Sequence, residues 1–252
     1  MTRFRITLEY DGTDLIGWQE NRQGPSVQSI LRDAIFAFCA VRPDVVAAGR
    51  TDAGVHALGM VAHFDLDGTF DVNTVMRAVN FYLTDKPVVI LSCDAVADDF
   101  NARFDCMARH YRYVVLNRRA APVLNKNRVW WVPRELNIDA MRAAATRLIG
   151  HHDFTSFRAT QCQAKSPIKT LDTCNIITDG DNVIFEFSAR SFLHHQVRNM
   201  VGTLVEIGLG KPYDIDEIFA ARNRSAAGPT APASGLYFIS ADYSTDASHS
   251  DI

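Results

Sequence analysis

One carboxylate stands out among the residues that could do chemistry, because it lies in a short segment bounded by glycines and by two apolar stretches. The segment reads Gly49-Arg50-Thr51-Asp52-Ala53-Gly54-Val55-His56-Ala57. Arg50 could keep the Asp52 carboxylate ionised and oriented, which suits a nucleophile or a base. Asp-Ala-Gly is also a common turn, and from the residues alone a turn-forming aspartate is the better interpretation.

The chain around this segment follows a regular pattern of strands and helices. Alternating apolar residues predict strands, and apolar residues at helical spacing predict helices. In the first half the predicted strands are 3–10, 45–48, 60–64 and 88–93, and the predicted helices are 27–38, with Ser26 as N-cap, and 72–83. In the second half the strands are 108–116, 171–177, 183–187 and 236–243, and the helices are 138–149, 197–209 and a short extra one at 215–221.

Both halves therefore have the order strand, helix, strand, strand, helix, strand, which is ferredoxin-like or RRM-like. We predict an α+β protein of two such halves with a mixed, mainly antiparallel sheet. The predicted domains are residues 1–104, which carry Asp52, and residues 105–244. The small, polar residues 245–252 are predicted to be a disordered tail.

Composition narrows the function classes. The chain has 252 residues, of which 47% are hydrophobic and 22% charged, as in soluble globular proteins. No stretch approaches the roughly 18 apolar residues of a spanning helix, and the N-terminus lacks an apolar core, so we expect neither a membrane span nor a signal peptide. The five cysteines are widely spaced and include no Cys-x-x-Cys pair, which favours reduced thiols in the cytoplasm.

The net charge of -3 hides a strong polarisation along the chain. Residues 1–104 and 179–252 each carry a net charge of -5, whereas residues 105–178 carry 12 basic and 5 acidic side chains. The stretch 109–134 has seven basic residues, no acidic one, and interleaved aromatics at Tyr111, Tyr113, Trp130 and Trp131. Basic residues can follow a phosphate backbone while aromatic faces stack on bases. Composition alone leaves an RNA-binding surface and a solvated basic face with core aromatics equally open.

Several motifs occur in an order that resembles one protein family. Besides Gly49 to Ala57, they are Tyr10-Asp11-Gly12-Thr13, Gly17-Trp18-Gln19, Ser26-Val27-Gln28, Phe100-Asn101-Ala102-Arg103-Phe104, Arg109-His110-Tyr111-Arg112-Tyr113, His152-Asp153-Phe154-Thr155-Ser156-Phe157-Arg158, Lys165-Ser166-Pro167, Phe192-Leu193-His194-His195-Gln196-Val197-Arg198-Asn199-Met200-Val201-Gly202 and Ala231-Pro232-Ala233-Ser234-Gly235-Leu236. Together they span nearly the whole chain and resemble the tRNA pseudouridine synthase A family. Asp105-Cys106-Met107 departs from the pattern, since small or basic residues are expected there.

The resemblance implies a pseudouridine synthase fold with a central basic cleft. It implies isomerisation of uridine to pseudouridine on the 3′ side of the tRNA anticodon stem-loop, at tRNA positions 38, 39 and 40. It also implies a homodimer whose partner is tRNA. No cofactor is expected, because the isomerisation oxidises nothing and donates no group.

The resemblance also assigns roles to individual residues. It implies that Asp52 is catalytic, that Tyr111 stacks on a flipped uracil, and that Arg198 pairs with Asp52. Arg50 is expected either to position Asp52 or to contact phosphate. His56 is expected to cap the backbone rather than to act in catalysis.

Two other function classes stay open: a non-catalytic tandem RNA-binding protein and a small-molecule enzyme. The intact Arg50-Thr51-Asp52 weighs against the first, and the acid-free basic stretch 109–134 weighs against the second. The histidine pairs 151–152 and 194–195 could ligate a metal. Adjacent histidines do not share one helix face, however, and no cysteine has a matching spacing, so no metal is expected.

Overall fold

The first half of the chain forms four strands and two helices in the predicted order. The computed structural model describes residues 1–244. The first-half elements are β1 (Thr2–Tyr10), α1 (Val27–Cys39), β2 (Val46–Ala47), β3 (His56–Leu66), α2 (Val72–Tyr82) and β4 (Val88–Val96). β1 lies between β3 and β4, and β2 pairs with the far edge of β3, all in antiparallel fashion. The resulting order, β4-β1-β3-β2, is the ferredoxin-like arrangement.

The second half repeats this arrangement with insertions. Its elements are β5 (Ala108–Leu116), β6 (Trp130–Trp131), α3 (Ile138–Leu148), β7 (Gly150–Asp153), β8 (Ile168–Leu171), β9 (Thr173–Asp179), β10 (Asn182–Ala189), α4 (Gln196–Gly208), α5 (Ile215–Ala221) and β11 (Leu236–Asp242). The sheet order β11-β5-β10-β9 is again antiparallel throughout. The sequence pattern does not predict β6, β7 or β8, and the last two form a small separate sheet.

The two halves share one continuous sheet, because β3 and β11 pair in parallel. Only two residue pairs form this junction, Tyr237 with His56 and Phe238 with Ala57. Each half has its own hydrophobic core. Phe238, from the second half of the chain, is buried in the first core, and Val55, from the first half, is buried in the second. The predicted α+β class with two ferredoxin-like halves is confirmed. The division into domains at residue 104 stays a prediction.

Helix α1 begins directly after Ser26, the residue predicted to be its N-cap. The backbone N–H of Ser29 donates to the Ser26 hydroxyl (3.1 Å), and the backbone N–H of Ser26 donates to the Ser29 hydroxyl (3.0 Å), so two N-terminal donors are satisfied reciprocally. The side chains of Val27, Leu31 and Ile35 are fully buried at helical spacing. Burying each such side chain stabilises the fold by about 1.5–3 kcal/mol, so the apolar face fixes α1 against the sheet.

Helix α4 is almost entirely buried, and a segment of backbone crosses it at close range. This segment, residues 228–232, is called the strap. Gly202 of α4 lies directly beneath the carbonyl group of Pro229, and a Cβ at Gly202 would overlap that oxygen. The N–H of Gly228 donates to the Thr203 hydroxyl (2.9 Å), and the N–H of Ala231 donates to the Arg198 carbonyl (3.1 Å). The strap is therefore tied to α4 along its length.

Residues 245–252, for which a disordered tail is predicted, lie outside the described part of the chain. Within residues 1–244, the helices are all too short or too polar to cross a membrane.

Gly202→Ala should destabilise the protein by about 1–3 kcal/mol, because rigid backbone blocks the new methyl group. In an unhindered helix the same change would be stabilising by about 1 kcal/mol. Gly208→Ala is the matched control on the same helix, since its methyl group would meet the flexible end of Met141. Chemical denaturation of both variants measures the difference, and equal free energies of unfolding would contradict the strap's tight approach.

Candidate active site

The Asp52 carboxylate lies on the loop 48–55, which connects β2 to β3. The loop that follows β1, residues 11–26, packs against it and is called the clamping loop. The N–H of Trp18 donates to the carbonyl oxygen of Thr51 (3.0 Å), and Gly17 forms a bridge with Asp52. The hydroxyls of Tyr10 and Thr51 share a hydrogen bond of 2.8 Å. Asp52 therefore projects from a fixed backbone and not from a mobile turn.

Two glycines of the clamping loop allow its backbone to lie close to loop 48–55. A Cβ at Gly12 would overlap the carbonyl oxygen of Val55. Gly17 has φ of +101°, and a Cβ there would lie 2.5 Å from the carbonyl oxygen of Thr51. Side chains at either position would push the clamping loop away from loop 48–55.

His56 supports the loop through backbone contacts, as expected. Its Nδ1 accepts a hydrogen bond from the N–H of Gly12 (3.1 Å), and its Nε2 lies 3.0 Å from the carbonyl oxygen of Asn127. The ring is buried and stacks on Tyr237 with centroids 4.9 Å apart. His56 thus joins the clamping loop to the basic stretch of the second half.

Three side chains from the second half of the chain surround the Asp52 carboxylate. Nη1 of Arg198 donates a 2.8 Å hydrogen bond to Oδ2. Nε2 of His195 lies 3.3 Å from the same oxygen, and Nε2 of His194 lies 3.2 Å from Oδ1. The Asp52 side chain is 20% exposed, compared with 15% for Arg198 and 42% for His194. The carboxylate is therefore partly buried and is least enclosed on the His194 side.

Arg198 is itself held by the strap. Its Nε donates to the carbonyl oxygen of Ala231 (2.8 Å), whose own N–H donates back to the Arg198 carbonyl (3.1 Å). A guanidinium bonded at both Nε and Nη1 has a fixed plane, so it presents its positive charge to Asp52 in one orientation. The expected pairing of Arg198 with Asp52 thus has its structural basis in α4 and the strap.

Arg50 does not act as the charge partner of Asp52. Its side chain is exposed, and within residues 1–244 it has no carboxylate within 4.0 Å. Of the two expected roles of Arg50, contact with phosphate is the one that its exposure leaves open.

Tyr111 and Tyr113 lie two residues apart on β5 but have different surroundings. Tyr113 is fully buried, and its hydroxyl donates to the carbonyl oxygen of Pro232 (2.7 Å). Tyr111 is partly buried, with its ring edge-on to Phe192 (5.1 Å) and Phe238 (5.2 Å). Burial raises the pKa of the Tyr111 hydroxyl, and the negative charge of Asp52 raises it further. Tyr111 therefore lies with its neutral hydroxyl next to Gly49 of loop 48–55, whereas Tyr113 is structural.

The basic stretch 109–134 is neutralised in part by residues that are distant in sequence. Arg109 is buried and donates to the backbone carbonyls of Ala48, Arg103 and Arg190. Three other arginines of the stretch pair with acidic side chains: Arg112 with Glu186, Arg118 with Asp181, and Arg128 with Asp11. Arg119, Lys126 and Arg134 are exposed and, among the described residues, have no acidic partner within 4.0 Å. The central basic cleft stays a prediction, and these three residues are its strongest members within the stretch.

Sequence reasoning treated His194 and His195 only as possible metal ligands and did not connect them with Asp52. One ligand atom from each of these three residues lies within 4.8 Å of the others, a spacing that a metal ion could bridge. The Arg198 guanidinium on the same carboxylate opposes a second cation there. The signal that could have found the pair is its position immediately before α4, where both rings can turn to one side.

A comparison with protein families agrees with this geometry. The sequence model of the family described as "tRNA pseudouridine synthase" matches residues 6–105 and 144–244. These ranges include Asp52 and Arg198 but omit residues 106–143, which contain Tyr111 and the whole basic stretch 109–134.

Relatives with curated names match over nearly full length. A protein named tRNA pseudouridine synthase A from Rhodospirillum centenum is 54% identical over 96% of this chain and all of its own. One of the same name from Paramagnetospirillum magneticum is 50% identical over 97% of this chain and 96% of its own. A chain in the crystal structure of a Cbf5-Nop10-Gar1 complex aligns with 80% of this chain and 44% of its own, at 10% identity and a TM-score of 0.36, too low to add to the assignment. The family match and the near full-length identities together establish that this chain belongs to the tRNA pseudouridine synthase family.

Proposed function

We propose that this protein converts uridine to pseudouridine in tRNA and that Asp52 is its catalytic residue. The observation that carries the proposal is one partly buried carboxylate, bonded to Arg198 at 2.8 Å, on a loop whose Gly49 lies next to the Tyr111 hydroxyl. Relatives named for this activity support tRNA as the substrate. The same relatives support bacterial tRNA modification as the setting, in which we infer a cytoplasmic location.

The chemistry of the isomerisation fits a site of this kind. The bond from ribose C1′ to uracil N1 breaks, and a bond from C1′ to C5 forms. C5 loses a proton and N1 gains one, so the reaction balances without an oxidant or a group donor. One carboxylate can stabilise an oxocarbenium-like C1′, as in a retaining glycosidase. Attack on C1′, addition to the uracil ring and removal of a ribose proton are all compatible with the position of Asp52.

The uridine must leave its helical stack to reach Asp52. Flipping a base out costs a few kcal/mol, which contacts in the pocket must offset. Tyr111 is the proposed stacking partner for the uracil, since its ring is partly exposed beside Asp52 and braced edge-on by Phe192 and Phe238. The exposed Arg50 is proposed to contact a phosphate next to the flipped nucleotide.

The substrate site on tRNA and the assembly are inferred from the family alone. We infer that the modified uridines lie on the 3′ side of the anticodon stem-loop and that two copies of the chain form a homodimer. Arg119 and Lys126 support a basic surface that could follow the phosphate backbone, because both are exposed.

Asp52→Asn should abolish pseudouridine formation, with a fall of at least about 10³-fold in single-turnover rate and tRNA affinity within about threefold of the parent. Asn preserves the shape but cannot supply the negative charge. Pseudouridine mapping on unmodified tRNA measures product, and Asp67→Asn is the control at an exposed carboxylate outside the site. Product formed at the parental rate by Asp52→Asn would overturn the role of Asp52.

Arg198→Ala should lower the single-turnover rate by about 10²-fold while changing the tRNA dissociation constant much less, because the guanidinium acts on the reacting carboxylate. Arg3→Ala is a matched control. Arg3 also bonds one aspartate, Asp65, and one carbonyl, that of Phe100, but at the opposite end of β1 from the clamping loop. A loss of rate and affinity in equal proportion for Arg198→Ala would contradict the role.

Tyr111→Phe should retain most of the activity, whereas Tyr111→Leu should weaken substrate binding by roughly 5- to 150-fold, because stacking on a base contributes about 1–3 kcal/mol. Binding of tRNA and single-turnover rates measure both changes. Tyr113→Phe is the control, which should lower stability through the lost bond to Pro232 without affecting stacking. A Tyr111→Phe variant as impaired as Tyr111→Leu would assign the role to the hydroxyl.

A further inference from the structure

His195 has a backbone conformation that its place in the fold does not require. Its φ of 62° and ψ of 5° are left-handed, yet it occupies the N-cap of α4, where residues are normally extended. Ala40 and Arg222 also have positive φ, but both end a helix, where a left-handed residue is common. At the N-cap the left-handed conformation costs free energy without offering a cap in return, since the His195 side chain bonds no N–H of α4.

The strained turn is fixed by hydrogen bonds of its own. The N–H of Leu193 donates to the side-chain oxygen of Gln196 (2.8 Å), and the N–H of Gln196 donates to the carbonyl oxygen of Leu193 (3.0 Å). The carbonyl of His194 accepts from the N–H of Ala159 (2.9 Å). Several hydrogen bonds therefore hold the turn in place, which is the condition under which backbone strain persists at functional sites.

The conformation directs both histidine rings to the Asp52 carboxylate. Nε2 of His195 lies 3.3 Å from Oδ2, the oxygen that Arg198 also bonds, and the rings of His194 and His195 have centroids 4.0 Å apart. Catalytic contacts are often long or poorly aligned without substrate and shorten when the substrate binds. Arg198 and His195 both lie against Oδ2, whereas Oδ1 has the more exposed His194 ring at 3.2 Å. Oδ1 is therefore the oxygen on the more open side of the carboxylate, where a nucleotide can reach it.

We propose that His195 is a positioning residue, held in a strained turn so that its ring fixes Oδ2 of Asp52 while Oδ1 faces the uridine. The proposal rests on the catalytic role assigned to Asp52 above. It gives the strain a function, because the left-handed backbone and the contact with Asp52 occur at the same residue.

The charge state of His195 is consistent with a donor role. Burial lowers the pKa of the ring below its ordinary value; the negative charge of Asp52 opposes this, and His194, Arg198 and Arg224 add to it. The ring is therefore neutral near pH 7, and its tautomer protonated at Nε2 can donate to the carboxylate when the contact shortens. A neutral donor orients Asp52 without adding a second positive charge next to Arg198.

His195→Gly tests the proposal, because it removes the ring and relieves the left-handed strain at the same time. We expect a melting temperature equal to or above that of the parent, tRNA affinity within about twofold, and a single-turnover rate lowered by about 10- to 100-fold. Added imidazole should restore part of the rate, which a purely structural role would not permit. His195→Asn, which tolerates the left-handed region but is too short to reach Asp52, should behave in the same way.

Ala40→Gly is the matched control, since it relieves a left-handed residue away from the site. It should raise stability without changing the rate. An unchanged rate in His195→Gly, a rate loss explained by unfolding, or no response to imidazole would each overturn the positioning role. An inactive parent protein would instead refute the proposed function, and an active Asp52→Asn variant would refute the role of Asp52, so the three failures are distinguishable.

Discussion

The candidate site depends on the parallel pairing of β3 with β11. Parallel strands begin at the same edge of a sheet, so the segments that enter them must meet there. Asp52 lies four residues before β3, and the strap ends shortly before β11. The junction has only two residue pairs, but it brings the carboxylate of the first half to the arginine of the second, 146 positions away in the chain. Each half alone would contain an incomplete site.

The Asp52–Arg198 pair fits its proposed catalytic role better than a role as a source of stability. Partly buried ion pairs contribute little net free energy, because the cost of removing both charges from water offsets their attraction. The two hydrophobic cores supply the stability instead. This stability permits the local costs at the site, including the left-handed His195 and the close approach of the strap to Gly202. The protein thus holds fixed charges and dipoles around one carboxylate before the substrate arrives.

Local patterns predicted most of the fold, and the resemblance predicted the central site residues. Alternation and helical spacing are set by burial on one face, which is why α1 to α5 and the main strands were predicted within a few residues of their observed bounds. The short strands β6, β7 and β8 were missed, because they have two to four residues and too few positions to show a period. The pairing of Asp52 with Arg198 was predicted from the resemblance alone. The contact of His195 with Asp52 was missed because its position before α4 does not reveal the left-handed backbone that accompanies the contact.

The net charge of a sequence segment likewise does not predict how much of that charge the fold exposes to solvent. The stretch 109–134 contains no acid, yet Glu186, Asp181 and Asp11 pair with three of its arginines from elsewhere in the fold. Those pairs join elements: Arg128 ties the basic stretch to the clamping loop, and buried Arg109 ties β5 to loop 48–55. Part of the positive charge thus builds the site and is not displayed to solvent. If tRNA binds here as proposed, we expect its phosphates to contact the exposed basic residues that remain, and its shape to matter more than the total charge of the stretch.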